Sequence, residues 1–414
     1  MKTMTRLGSL FAVSTFQAPL AFATNYDVEI CITIAPNFED LEGGDIWDEN
    51  WGGTVFARGI WLVIESWDDG VFLATLKNGY VDDNTGCYTQ QVMSSTLDYA
   101  IKVKSRALVN GVYVGVYDDE TTPTERTLVF YAGTIANHFT PTSAAPLNLV
   151  VPDSNWSREL AVGTYAMNKN NAGLGEELKY VDTLCCNGGY QRYIRAATDH
   201  KFVLGHETGH GVLRIRDGNN TPQENQGAGE DNCNGDDIVT SHSTTSKEWY
   251  STALKEGIAD FYSAWIFNVH VGQSDCEYDR HYGTDFDLDG DFETADGLAD
   301  CEAVPASGLA SYVSGDDWLE DLINAADPAA CSGGMTHKST QFDILRYGWD
   351  MLTDQAVPFS EIVDIWDDAN PRDWNDTHNI LTPANDPENR WSDAADANGF
   401  LAEHLAEDHN GLDH

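Results

Sequence analysis

His206 and His210 stand four residues apart inside the apolar run FVLGHETGHGVL (202–213), and Glu207 directly follows the first. On an α-helix, residues four apart stack on one face, one turn from each other. Two imidazoles at that spacing can ligate one zinc ion, and the adjacent carboxylate can take a proton from a water that the ion acidifies. Phe202, Val203, Leu204, Val212 and Leu213 supply apolar surface for such a helix, and Thr198 or Asp199 can cap its start. A catalytic zinc keeps three protein ligands and one open position, so a third ligand has to come from elsewhere. A third histidine further along the same helix does not supply it: Leu213 and Arg216 stand where that extended pattern requires glycine and histidine.

A second helix is legible in TSKEWYSTALKEGIADFYSAWIFNVHV (245–271). Thr245 and Glu248 have capping-box spacing, and Trp249, Leu254, Ile258, Phe261, Trp265 and Val269 form a broad apolar stripe. Glu256 and Asp260, again four apart, share a face of this apolar helix. Carboxylates on a largely buried face need compensation, which a metal ion and an imidazole together provide. Glu256 is therefore expected as the third zinc ligand, and Asp260 as the acceptor behind a ligand histidine, His206 first.

Taken together, HETGH at 206–210 and EGIAD at 256–260 resemble the gluzincin metallopeptidases, in which HExxH is followed on a later helix by ExxxD. The resemblance implies an α-rich or α+β zincin-like catalytic domain that hydrolyses peptide bonds, with Glu207 as general base. It also implies a downstream Tyr or His that stabilises the oxyanion; CSGGMTHKSTQFDILRYGWDML (331–352) offers His337 and Tyr347. The interval between the two motifs exceeds that of thermolysin-like enzymes and contains RIRDGNNTPQENQGAGEDNCNGDDIVTSHS. His242, near its end, reads as a loop residue.

A second metal pattern lies in DFDLDGDFETAD (285–296). Asp285, Asp287, Asp289, Asp291, Glu293 and Asp296 follow the spacing of an EF-hand calcium loop, with Gly290 at the sharp turn. Asp296 is shorter than the glutamate usual at the last position. Cys276 and Cys301 bracket this loop, so calcium and a disulfide are expected to stiffen one insertion around 276–301. GEDNCNGDD (229–237) is acidic without matching a calcium template.

These motifs need a scaffold. Residues 24–138 carry short alternating runs such as YDVEICITI, RGIWLVIESW, YAIKVKSRALV and GVYVGVY, which predict an antiparallel β-sandwich acting as an accessory or pro-domain. Part of it, from GIWLVIESW to LDYAIKVKS, resembles the regulatory-like sandwiches attached to secreted peptidases. The proline- and small-residue-rich stretch 139–156 reads as a linker, with the metallopeptidase domain over 157–414.

Residues 1–23 read as a secretory leader: Lys2 and Arg6, a modest apolar run, and Ala21-Phe22-Ala23 at the end. Gln17 and Pro19 interrupt that run, so it does not read as a membrane span. In an exported chain eight cysteines point to disulfides, with Cys31–Cys87 and Cys276–Cys301 as the local pairings. The net charge of −44 disfavours nucleic acid and anionic membranes as partners, while the gluzincin resemblance implies a peptide or protein substrate. The competing class is an inactive metallopeptidase-like surface or adhesion protein that binds calcium; Glu207 argues against it, because a structural metal site needs no general base.

Overall fold

The structure is a computed structural model that describes residues 23–38, 50–169, 174–182, 193–216, 248–268, 338–339, 345, 348 and 359; for 248–255 and 338–339 it describes the backbone alone. Twelve strands and three helices are defined among them. The first eight strands are β1 (Asn25–Ile34), β2 (Val55–Phe56), β3 (Ile60–Asp68), β4 (Val71–Tyr80), β5 (Cys87–Ser94), β6 (Asp98–Val109), β7 (Val112–Tyr117) and β8 (Thr127–Ala132). They pair antiparallel throughout; on β1, β3 and most of β6 the side chains alternate between buried and more exposed positions as a half-buried strand requires, whereas β4 is largely exposed. Val28, Ile30, Ile32 and Ile34 on β1, with Ile60, Leu62 and Ile64 on β3, point into the shared core. Cys31 and Cys87 face each other across β1 and β5 and form the expected disulfide.

Two parallel additions make the sheets mixed rather than purely antiparallel. The first is β9 (Leu147–Val151), which pairs parallel to β1 with Ile30 opposite Leu147 and Ile34 opposite Val151. It lies within 139–156, the stretch expected to be a linker. The prolines there bracket the strand rather than break it: Pro146 precedes Leu147 and Pro152 follows Val151, both at positions where a missing N–H costs no ladder bond. The second addition is β10 (Leu178–Val181), parallel to β7, which extends the sheet ordered β10-β7-β6-β3-β4.

The helix α1 (Asn155–Lys169) starts directly after β9. Ser154 caps it: its hydroxyl accepts from the Ser157 N–H at 3.3 Å and its carbonyl takes the Arg158 N–H at 3.0 Å. The helix packs on β6, β7 and β10, and Gly163 lets it approach so closely that a Cβ there would sit 2.9 Å from the Tyr180 hydroxyl and from Val114. One hydrophobic cluster runs from Val28 and Ile64 through Leu160 and Tyr165 to Phe202, Val212 and Phe267. The strands are thus the floor on which the helices stand, with no break in packing at 139–156.

Candidate metal centre

The helix α2 (Lys201–Arg216) carries both histidines, and α3 (Tyr250–Phe267) carries both carboxylates. With glycines at 205, 209 and 211, α2 has poor intrinsic helicity, at about 1 kcal/mol lost per glycine relative to alanine. Tertiary packing compensates, for every side chain from Lys201 to Ile215 is buried. The His200 carbonyl accepts the first helical bond, from Leu204 N–H at 3.1 Å, while the Thr198 hydroxyl accepts from His200 N–H at 3.2 Å. Helix α3 starts at Tyr250, not at Thr245, because Glu248–Trp249 form a short strand, β11, paired antiparallel with β12 (Lys338–Ser339). Thr245, the other half of the expected capping box, lies outside the described residues.

The glycines also set the helix spacing. A Cβ on Gly205 would lie 2.5 Å from Ser263 Oγ, and one on Gly209 would lie 2.9 Å from Ala259 Cα and 3.1 Å from its carbonyl oxygen. Gly205 and Gly209, one turn apart, face Ala259 and Ser263, also one turn apart, and Ser263 Oγ donates to the Phe202 carbonyl at 2.7 Å. Small residues on both helices allow near backbone contact, so short carboxylates on α3 can reach imidazoles on α2. Gly211 serves the opposite side, against Ile194 and Leu178.

His206, His210 and Glu256 converge. Glu256 Oε2 lies 2.9 Å from His210 Nε2 and 3.2 Å from His206 Nε2, and the two rings are 4.5 Å apart between centroids at 82°. Asp260, fully buried, places Oδ1 2.6 Å from His206 Nδ1. An ionised carboxylate only accepts, so Nδ1 of His206 carries the proton and a neutral ring presents a lone pair at Nε2. That lone pair faces a Glu256 oxygen at 3.2 Å. Two acceptors so close need a cation between them, a proton or a metal ion. The ligand atoms of the three residues all lie within 4.8 Å of one another, and the buried group has the composition and geometry to hold a metal ion. Glu207 is buried on the same helix, one residue from His206 and three from His210.

On its far side α2 is tied to the sheet. The Tyr180 hydroxyl lies 2.6 Å from Thr208 Oγ1, which itself donates to the Leu204 carbonyl at 2.6 Å. Thr208 thereby spends its proton, and Tyr180 donates to it. This anchor and the Gly205/Gly209 contact were not visible from the motifs; the glycines at i and i+4 were the signal that could have disclosed the second.

The other expected site residues, His337 and Tyr347, lie outside the described residues, as do the calcium-loop acids Asp285, Asp287, Asp289, Asp291, Glu293 and Asp296, Cys276, Cys301, His242 and 229–237. Among the described residues of 331–352, Lys338 pairs with Trp249 at the entrance to α3, and a Cβ on Gly348 would meet the Phe261 ring at 2.7 Å. No helix among the described residues is long and apolar enough to cross a membrane. No protein-family model, no curated protein and no solved structure matches the chain.

Proposed function

We propose that the chain is an exported zinc-dependent peptidase of the gluzincin kind, acting on peptide or protein substrates. The observation that carries this reading is the buried meeting of His206, His210 and Glu256, with Asp260 behind His206 and Glu207 on the same helix. Two imidazoles and a carboxylate form the three-ligand donor set of a catalytic zinc site rather than the four-ligand set of a closed structural one. Zinc held by these three residues would supply Lewis acidity, polarising a substrate carbonyl and making water a nucleophile near neutral pH.

The chain's own groups supply the rest. Glu207 takes the proton of the attacking water and returns it to the departing amine, which makes it general base and then general acid. Asp260 fixes the His206 ring in the tautomer whose Nε2 lone pair faces the metal position. Burial keeps bulk water from screening these charges. His337 or Tyr347 is the proposed donor to the oxyanion, and the loop 285–296 the proposed calcium site, both on sequence grounds.

The test is zinc content together with cleavage of casein or a peptide library by the mature protein and by Glu207→Ala. The reading expects about one zinc per chain in both proteins and cleavage by the wild type alone. A folded wild type that binds no zinc overturns the site; one that holds zinc in solutions containing calcium and cleaves nothing supports the adhesion-protein reading instead.

A further inference from the structure

Glu159 on α1 is fully buried, and neither of its carboxyl oxygens has a hydrogen-bond partner among the described residues. It belongs to none of the metal chemistry above. Its side chain lies in the interface between α1 and the sheet, one turn ahead of Gly163, where α1 touches Tyr180. The charged groups around it are committed elsewhere. Asp182, just after β10, is held by Arg126, with Nε and Nη2 both donating at 3.0 Å. The Arg158 guanidinium donates to Asn155 Oδ1 at 2.9 Å and to the Asn37 carbonyl at 3.3 Å, and pairs with Asp153 at 3.5 Å. On β7 the Tyr117 hydroxyl donates to Glu177 at 2.7 Å, and on β10 the Tyr180 hydroxyl is spent on Thr208 of α2.

An ionised carboxylate in that position has no donor to replace the water it gave up, whereas a neutral carboxyl loses far less on burial. We infer that Glu159 is a proton-dependent latch: α1 seats on the sheet with this carboxyl neutral and loosens when it ionises. Burial and the nearby Asp182 charge both favour the neutral form, against weaker opposing pulls from Arg158 and Arg126. Because the hydroxyl end of Tyr180 on β10 meets α1 at Gly163 and α2 at Thr208, loosening α1 reaches the helix that bears the two histidines. The device sets an alkaline limit on the folded molecule, and it stands whether or not the metal site is a peptidase.

The sign follows from proton linkage. The folded chain keeps a proton on Glu159 that the unfolded chain has lost above an ordinary glutamate pKa, so stability falls as pH rises, until the folded pKa is reached. The experiment is chemical unfolding of the full-length metal-loaded protein at several pH values for wild type, Glu159→Gln and Glu159→Leu. One proton corresponds to a tenfold fall in the folding constant per pH unit. The wild type should lose stability with that extra slope relative to both variants. Parallel curves for the three proteins overturn the latch. A second measurement does not depend on the variants' folding: the folded wild type at neutral pH should show the infrared carbonyl band of a protonated carboxyl that the unfolded chain lacks, and its absence overturns the inference.

Discussion

Asp260 Oδ1 sits 2.6 Å from His206 Nδ1, and both side chains are sealed from solvent. The carboxylate fixes which ring nitrogen carries the proton and so which one faces Glu256. Replacing Asp260 by Asn keeps the shape but removes the charge and permits the amide to donate instead of accept. Metal affinity should fall about 10- to 100-fold, the usual loss when a partner behind a ligand histidine is removed. Competition with a chelator of known affinity measures it, and an unchanged affinity would show that the pair does not tune the site.

The closeness of α2 and α3 makes a second prediction. Gly209→Ala puts a Cβ 2.9 Å from the Ala259 backbone, where no flexible side chain can yield. The helices must separate, at about 1–3 kcal/mol in stability, and Glu256 is drawn away from His210. Thermal unfolding should show the loss with and without zinc, and zinc titration a weakened site. A variant as stable as the wild type would mean that the helix spacing is not set here.

The Tyr180–Thr208 bond predicts a non-additive pair. Thr208→Val preserves volume but leaves a buried phenol without its acceptor, and should cost about 1–3 kcal/mol. Adding Tyr180→Phe removes the orphaned hydroxyl and should restore part of that loss. A double-mutant cycle by urea unfolding gives the coupling, and strict additivity would deny the bond any energetic role.

Breaking the Cys31–Cys87 bridge frees a long segment of chain in the unfolded state. Replacing both residues by alanine should lower stability by about 2–4 kcal/mol, read as a lower midpoint in guanidinium unfolding. Because the bridge joins β1 to β5, and His206, His210 and Glu256 all stand on α2 and α3, zinc affinity of the folded variant should be unchanged.

The parts of the molecule that announced themselves in the sequence share one property: their pattern is local and their chemistry is expensive to bury. Alternation in the early strands, two histidines at helical spacing, and a carboxylate pair on an apolar helix each leave a period that a reader can count. The meeting of His206, His210 and Glu256 followed from asking what compensates the buried acids. Long-range packing left weaker traces. LNLVV was hidden among prolines because pairing with β1, not local composition, makes it a strand. The start of α3 was misplaced because a partner ladder at Lys338–Ser339 takes the backbone of Glu248 and Trp249. Glu159 looked like any surface acid of a chain with 67 acidic residues, and only its enclosure by α1 and the sheet separates it from the rest.

The parallel pairing of β9 with β1 also governs the order in which the chain can fold. Strand β1 is the first of the described strands to emerge during synthesis, yet its parallel neighbour β9 follows only after seven intervening strands. A ladder between such distant segments is slow to close, since loop entropy is lost before the contact rewards it. Until Val151 is available, β1 offers an apolar strand with an open edge to whatever is nearby. Fragments ending before Leu147 should therefore aggregate rather than fold, and a cut between β8 and β9 should not release the N-terminal sheets as a finished unit.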